Sequence, residues 1–196
     1  MPEANPSSAA VSPRPAAPTE FKDREAWFTV TPDPWAELTS LEYGGDRTYA
    51  STVYRMVVNA LPDQRPAMEV KLLQALKHPQ ITVAGRQFVC RMLGLIGSSA
   101  CVADVVPLLG NGRDADFARA ALDSISDPAV NAAYRAALSD HKLTGSAKIG
   151  LIGSIGLRGD RQAVDALTAI AMDAKEEKDV RAASERAVEK ISGEKV

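Results

Sequence analysis

The most constraining feature of this sequence is a helix–turn–helix unit that recurs along the chain. Residues 86–109, RQFVCRMLGLIGSSACVADVVPLL, have the pattern of one amphipathic helix ending, a tight turn at 97–99, and a second helix beginning. The same arrangement returns near 125–127 and at 155–160. A helix pair repeated every ~30 residues is typical of an α-solenoid, in which each pair packs only against its neighbours. The repeat therefore predicts an all-α fold.

The helical periodicity and the capping residues divide the chain into pairs. Most predicted helices begin at or near Asp, Ser or Thr, the side chains that cap helix N-termini, and short connections between them favour antiparallel neighbours. Two helices precede the pairs, at 34–41 and 47–60. The predicted pairs are 66–77 with 82–96, 99–109 with 114–125, 127–138 with 143–156, and 160–172 with 175–191.

The part of the chain before the repeats divides into two segments. Residues 1–19 contain five prolines and few large apolar side chains, which predicts a disordered Pro/Ala-rich tail. Residues 20–64 hold most of the aromatic side chains, including Trp27, Phe28 and Trp35. We predict that this segment caps the apolar end of the repeat domain at 65–196. The alternative is an aromatic docking patch for a partner, since tryptophan is enriched at binding hot spots.

Composition and charge exclude several functional classes. The net charge is −2 over 196 residues, and the net charge of residues 65–196 is only about +2. Non-specific electrostatic binding of nucleic acid is therefore not expected. No run of apolar residues is long enough for a membrane span. The start lacks the features of a signal peptide, which predicts a cytoplasmic protein, or an exported one if a leader has been removed.

The candidate chemical groups favour structure over catalysis. Cys90 and Cys101 are too few for a disulfide framework and read as small buried apolar residues. With only two histidines, neither a metal site nor a catalytic triad can be assembled from sequence order, and we expect no cofactor. The segment 143–156, LTGSAKIGLIGSIG, has four glycines, which predicts either close approach of a neighbouring helix or a shallow groove for a partner.

Four cations recur on the second helices of successive pairs. They are Arg86, Arg119, Lys148 and Arg181. Nearby aspartates predict ion pairs for Arg119, with Asp114 or Asp116, and for Arg181, with Asp173 or Asp179. Arg86 and Lys148 have no acidic residue as close upstream, so we expect them to be free to bind an acidic partner.

The repeats resemble those of a known family. Residues 180–191, VRAASERAVEKI, follow the second-helix pattern of bacterial HEAT-like repeats, also called phycobilin-lyase-like HEAT repeats, with Asp179 just upstream. Residues 93–97, LGLIG, match the end of the same helix, and the likeness extends over about 65–192. The stretch 113–138 departs from the pattern, because it is short and lacks the Val-Arg start.

The resemblance implies a right-handed solenoid of about four pairs, with the second helices lining a concave face. We expect a non-catalytic scaffold that binds a protein partner through the concave face and the capping end. Domains of this kind also occur beside exported dehydrogenase and cytochrome modules, which suggests a redox or dehydrogenase module as partner. A chromophore-lyase-like or other small-ligand enzyme is the alternative. The chain lacks the His-Glu pair of the hydroxylases built on a similar fold and the basic concave face of the DNA glycosylases.

Overall fold

A computed structural model describes residues 32–140 and 143–193 of the chain. Every regular element within these ranges is helical, so the prediction of an all-α fold is confirmed for this part of the protein. Short 3-10 helices cover Ala36–Ser40, Ser99–Cys101, Val106–Gly110 and Arg161–Ala163. The α-helices are α1 (Thr48–Val58), α2 (Arg65–Leu76), α3 (Val83–Ile96), α4 (Val102–Val105), α5 (Ala115–Asp123), α6 (Pro128–Leu138), α7 (Gly145–Arg158), α8 (Val164–Met172) and α9 (Lys178–Ser192).

The predicted helices appear near the positions that the apolar periodicity gave them, with three differences. The segment predicted at 160–172 begins with the 3-10 helix Arg161–Ala163 and continues as α8. The segment 99–109 is not one helix but a 3-10 turn, the short α4 and a second 3-10 turn. Pro107 lies in the last of these, and it cannot donate the hydrogen bond that would continue an α-helix. The segment predicted at 34–41 is the 3-10 helix Ala36–Ser40.

Side-chain caps define several helix starts. The Gly85 N–H donates to Thr82 Oγ1 at 2.9 Å, and the Ala129 N–H donates to Asp127 Oδ1 at 2.7 Å. These contacts satisfy backbone donors that have no partner inside the helix. At the other end of α7, Gly159 adopts a left-handed conformation with φ of 66°, which residues with a side chain rarely adopt.

The helices pack in a regular order. Each pair is held by contacts between its members, namely α2 with α3, α4 with α5, α6 with α7, and α8 with α9. In addition α1 contacts α3, α3 contacts α5, α5 contacts α7, and α7 contacts α9. We call the five helices α1, α3, α5, α7 and α9 the second-helix row.

The arrangement repeats over two pairs. α3 and α7 both begin directly after a threonine, Thr82 or Thr144, and both are followed by a 3-10 turn. That turn is capped by Ser98 in the first case and by Asp160 in the second. Each of these residues in the second set lies 62 positions after its counterpart. The pair α2–α3 therefore corresponds to the pair α6–α7.

One hydrophobic core runs through the described helices. Its largest fully buried side chains include Trp35 at one end, Met92 and Leu93 on α3, and Ile155 on α7. Cys90 and Cys101 are free and fully buried, as predicted. Burial raises the pKa of each thiol to about 12, so both are neutral and behave as small apolar groups. No helix in the described ranges has the length and apolarity needed to cross a bilayer.

Candidate partner-binding surface

The four cations predicted to mark a binding surface lie one on each of four consecutive members of the second-helix row. Arg86 is in the first turn of α3, Arg119 on α5, Lys148 on α7 and Arg181 on α9. Because these helices contact one another in order, the four side chains come from adjacent parts of the row. The partners of Arg86, Lys148 and Arg181 differ from those expected, whereas Arg119 has one of its expected partners.

Arg86 holds two neighbouring pairs together. Its Nε donates to Asp114 Oδ2 at 2.7 Å, and its Nη1 donates to the Ile81 carbonyl at 2.8 Å. Asp114 is the N-cap residue of α5, is fully buried, and also accepts a hydrogen bond from Asn111 Nδ2. The prediction that Arg86 has no acidic partner is wrong, because its partner lies 28 residues away on the next pair.

Lys148 makes the corresponding bridge one repeat further on. Its Nζ forms an ion pair with Glu176, also 28 residues away and just before α9. The lysine side chain is mostly buried. The prediction that Lys148 is free is therefore also wrong. In both cases the carboxylate sits beside a helix N-terminus, where the helix dipole favours negative charge.

Arg119 and Arg181 behave differently from each other. Arg119 Nη2 contacts Asp116 Oδ1 at 3.0 Å, one of the two partners predicted for it, and Nη1 lies 3.7 Å from Asp123. Arg181 forms no ion pair in the described part of the chain, so its predicted pairing with Asp173 or Asp179 is wrong. Its Nε is buried and has no hydrogen-bond partner there.

The aromatic candidates are only partly placed. Trp35 is 2% exposed and belongs to the core, so its ring is not an exposed docking group in this structure. Its backbone N–H donates to Asp33 Oδ1 at 3.0 Å. The capping role of residues 20–64 stays a prediction. Trp27, Phe28 and the tail at 1–19 lie outside the described residues, and their roles remain predictions.

The glycines of α7 have three different surroundings. A Cβ at Gly150 would lie 2.9 Å from Arg119 Nε, since the guanidinium of Arg119 rests on this glycine. A Cβ at Gly156 would lie 3.1 Å from the Cα and Cβ of Ala187 on α9. At Gly153 it would meet nothing within 4 Å. Of these three glycines, Gly156 allows the close approach of a neighbouring helix and Gly150 makes room for the Arg119 side chain. Gly153 instead opens onto a groove.

Apolar side chains on the outer surface of the second-helix row were missed from the sequence. They are Tyr54 and Val58 on α1, Leu95 on α3 and Leu157 on α7, which are 41%, 53%, 51% and 68% exposed. Tyr54 and Val58 share a helix face because they are four residues apart. The sequence contained a signal for this exposure, since Tyr54 and Val58 both fall outside the apolar stripe that packs α1 into the core.

Cations accompany these apolar side chains. The Arg91 guanidinium carbon lies 5.9 Å from the centre of the Tyr54 ring, and Arg91 shares its helix face with Leu95. Beside Leu157, α9 contributes Arg186 and Lys190, which have no acidic partner within the described ranges. We call the set Tyr54, Val58, Arg91, Leu95, Leu157, Arg186 and Lys190 the row face.

The candidate metal-binding and reactive side chains of the described residues do not form a metal site, because they include no group of three or more His, Cys, Asp or Glu that could hold a metal ion. His78 uses its Nδ1 to accept the Gln80 N–H at 3.3 Å at the end of α2, which is a local structural contact. The only thiols in the sequence, those of Cys90 and Cys101, are buried and neutral.

Comparison with known proteins adds no assignment. No model of a known protein family matches the chain, no curated protein matches it, and no solved structure matches it.

Proposed function

We propose that this protein is a non-catalytic scaffold for protein–protein interaction, built as a right-handed α-solenoid of HEAT-like helix pairs. The regular contacts of α1, α3, α5, α7 and α9 support the solenoid, because each helix of the row packs against its predecessor. The partner binds across the row face.

The observation that carries this proposal is the exposure of apolar side chains along the second-helix row. Tyr54, Leu95 and Leu157 come from three different helices of the row. We infer that they belong to one contiguous surface, since contiguous apolar patches mark interaction sites. Leu95 and Leu157 occupy corresponding positions of α3 and α7, so the repeat presents the same apolar group twice.

The cations of the row face determine which partner charge the surface prefers. Arg91, Arg186 and Lys190 are not neutralised by acidic side chains in the described ranges, whereas Arg86 and Lys148 are. We therefore assign Arg86 and Lys148 to holding the repeats together, and the recognition of acidic groups to the row face. Unpaired surface cations favour an acidic partner mainly through a faster association rate.

Affinity capture from the native organism, followed by mass spectrometry, tests this function with paired variants. Tyr54→Glu and Leu95→Glu place charges on the row face and should abolish capture of a specific protein. Val70→Glu and Met172→Glu change apolar residues on α2 and α8 that are more exposed than Tyr54 and Leu95, and should leave capture intact. Equal capture by all four variants would contradict the proposal.

The same purified protein distinguishes a scaffold from a chromophore-binding enzyme. A scaffold should show no visible absorbance band and no turnover of a bilin donor. A visible band that persists after gel filtration would favour the small-ligand function instead.

A further inference from the structure

We propose that the groove between α7 and α9 receives an acidic amphipathic helix of the partner protein. This inference rests on the proposed scaffold function and names the chemistry of the segment that the scaffold binds. The groove is lined by Ile149, Gly153 and Leu157 on α7, and by Ala183, Arg186, Ala187 and Lys190 on α9.

The shape of the groove fits a helix. Ile149, Gly153 and Leu157 are spaced by four residues and so form one stripe along α7, with an apolar side chain on either side of the glycine. Ala183 and Ala187 provide a floor of small side chains on α9. An amphipathic helix binds such a groove by placing successive apolar residues of one face into it.

Gly153 has no packing reason within the described part of the protein. A glycine inside a helix costs about 1 kcal/mol relative to alanine. Gly150 and Gly156 are explained by Arg119 and Ala187, but no neighbouring atom within 4 Å would obstruct a Cβ at Gly153. The open position lets the backbone of a partner helix approach α7 closely.

The charge of the groove specifies the partner's chemistry. Arg186 and Lys190 are one helical turn apart on the same side of α9 and have no acidic partner in the described ranges. Lys148, which lies on α7, in contrast forms an ion pair with Glu176. Two carboxylates spaced by four residues on a partner helix match the spacing of Arg186 and Lys190.

Two synthetic peptides of equal length test the proposal directly. Both carry the same Leu/Ala face, with glutamates on the flanking positions of one and lysines on those of the other. Binding to the full chain is measured by fluorescence anisotropy. We expect the glutamate peptide to bind and the lysine peptide to bind at least about tenfold more weakly.

Variants locate the binding on the groove. Arg186→Glu with Lys190→Glu should reverse the preference between the two peptides. Gly153→Leu should weaken binding of the glutamate peptide, while thermal melting shows that the variant remains folded. The matched control, Arg161→Glu with Lys175→Glu, changes the same charge at exposed positions that do not line the groove and should preserve binding.

Several results would overturn the proposal. These are equal binding of the two peptides, no binding of the glutamate peptide at about 1 mM, or equal weakening by the control variant. A dimer in solution that Gly153→Leu dissociates would show that a second copy of the chain fills the groove. If the peptide fails while Tyr54→Glu and Leu95→Glu still abolish partner capture, only the groove assignment is lost. If those variants leave capture intact, the scaffold function itself is contradicted.

Discussion

Helix α7 is packed on its two sides in different ways. Towards α5, the Arg119 guanidinium covers Gly150, and Ser154 Oγ donates to Asp123 Oδ2 at 2.8 Å. Towards α9, α7 packs extensively, with Gly156 close to Ala187, and a surface groove opens beside Gly153. The contact with α5 therefore contains a polar network, whereas the contact with α9 combines close packing at Gly156 with an open groove.

The contact between α7 and α5 includes a hydrogen-bonded network that joins the three helices α5, α6 and α7. Asp123 at the end of α5 accepts from Tyr134 Oη at 2.8 Å as well as from Ser154. Arg158 of α7 donates hydrogen bonds to Asn131 Oδ1 and to the Asp127 carbonyl oxygen. A buried network of this kind rigidifies when every member has a partner. The comparison shows that α7 is a packed core element towards both neighbours, with a solvent-exposed groove beside its contact with α9.

The largest effect should separate two positions that are only two residues apart on α7. Ile155 is 1% exposed, so Ile155→Asp buries a carboxylate without a partner and should lower the free energy of unfolding by about 3 kcal/mol or more. Leu157→Asp should change it by less than about 0.5 kcal/mol, because Leu157 faces solvent. Urea denaturation followed by circular dichroism measures both, and equal losses would mean that Leu157 is also packed.

Loss of the ion pair between Arg86 and Asp114, which joins two neighbouring helix pairs, should lower the free energy of unfolding by a similar amount. Arg86→Met leaves the carboxylate of Asp114 buried and without its cation, and should cost about 3 kcal/mol. Arg91→Met, on the exposed side of the same helix, is the control and should cost well under 1 kcal/mol. A near-neutral result for Arg86→Met in urea denaturation would show that solvent or another group replaces the guanidinium.

The all-α class and the approximate positions of the helices could be predicted from the sequence because they follow from local signals. The apolar periodicity and the caps at Thr82 and Asp127 placed the helices, since both depend only on neighbouring residues. The partners of Arg86 and Lys148 could not be predicted, because folding brings together residues 28 positions apart. The glycines of α7 looked alike in the sequence for the same reason, since only the neighbouring helix distinguishes Gly153 from Gly156.

The buried thiols of Cys90 and Cys101, on and just after α3, make the stability of the protein depend on pH. Burial raises the pKa of Cys90 and Cys101 from the ordinary value of 9.0 to about 12. The unfolded chain loses these protons above pH 9 while the folded protein keeps them, so stability is full below pH 9 and falls as the pH rises towards 12. Each thiol should contribute up to about 1.4 kcal/mol per pH unit in this window.

Urea denaturation at pH 8 and pH 10.5 measures this loss. Replacement of both cysteines by alanine removes the thiol contribution, so the double variant should lose less stability between the two pH values than the parent protein. An identical loss in the two proteins would show that the thiols are accessible to water in the folded state.

The most direct test of the claim that α7 is packed against α9 at Gly156 but open at Gly153 is a pair of alanine substitutions at these two glycines. Gly153→Ala should raise the free energy of unfolding by up to about 1 kcal/mol, because alanine favours the helix and its Cβ meets no neighbour. Gly156→Ala should lower it by about 1 kcal/mol, because its Cβ would lie 3.1 Å from Ala187 and force α9 to move. Opposite signs in urea denaturation are the predicted result, and a change of the same sign for both variants would contradict it.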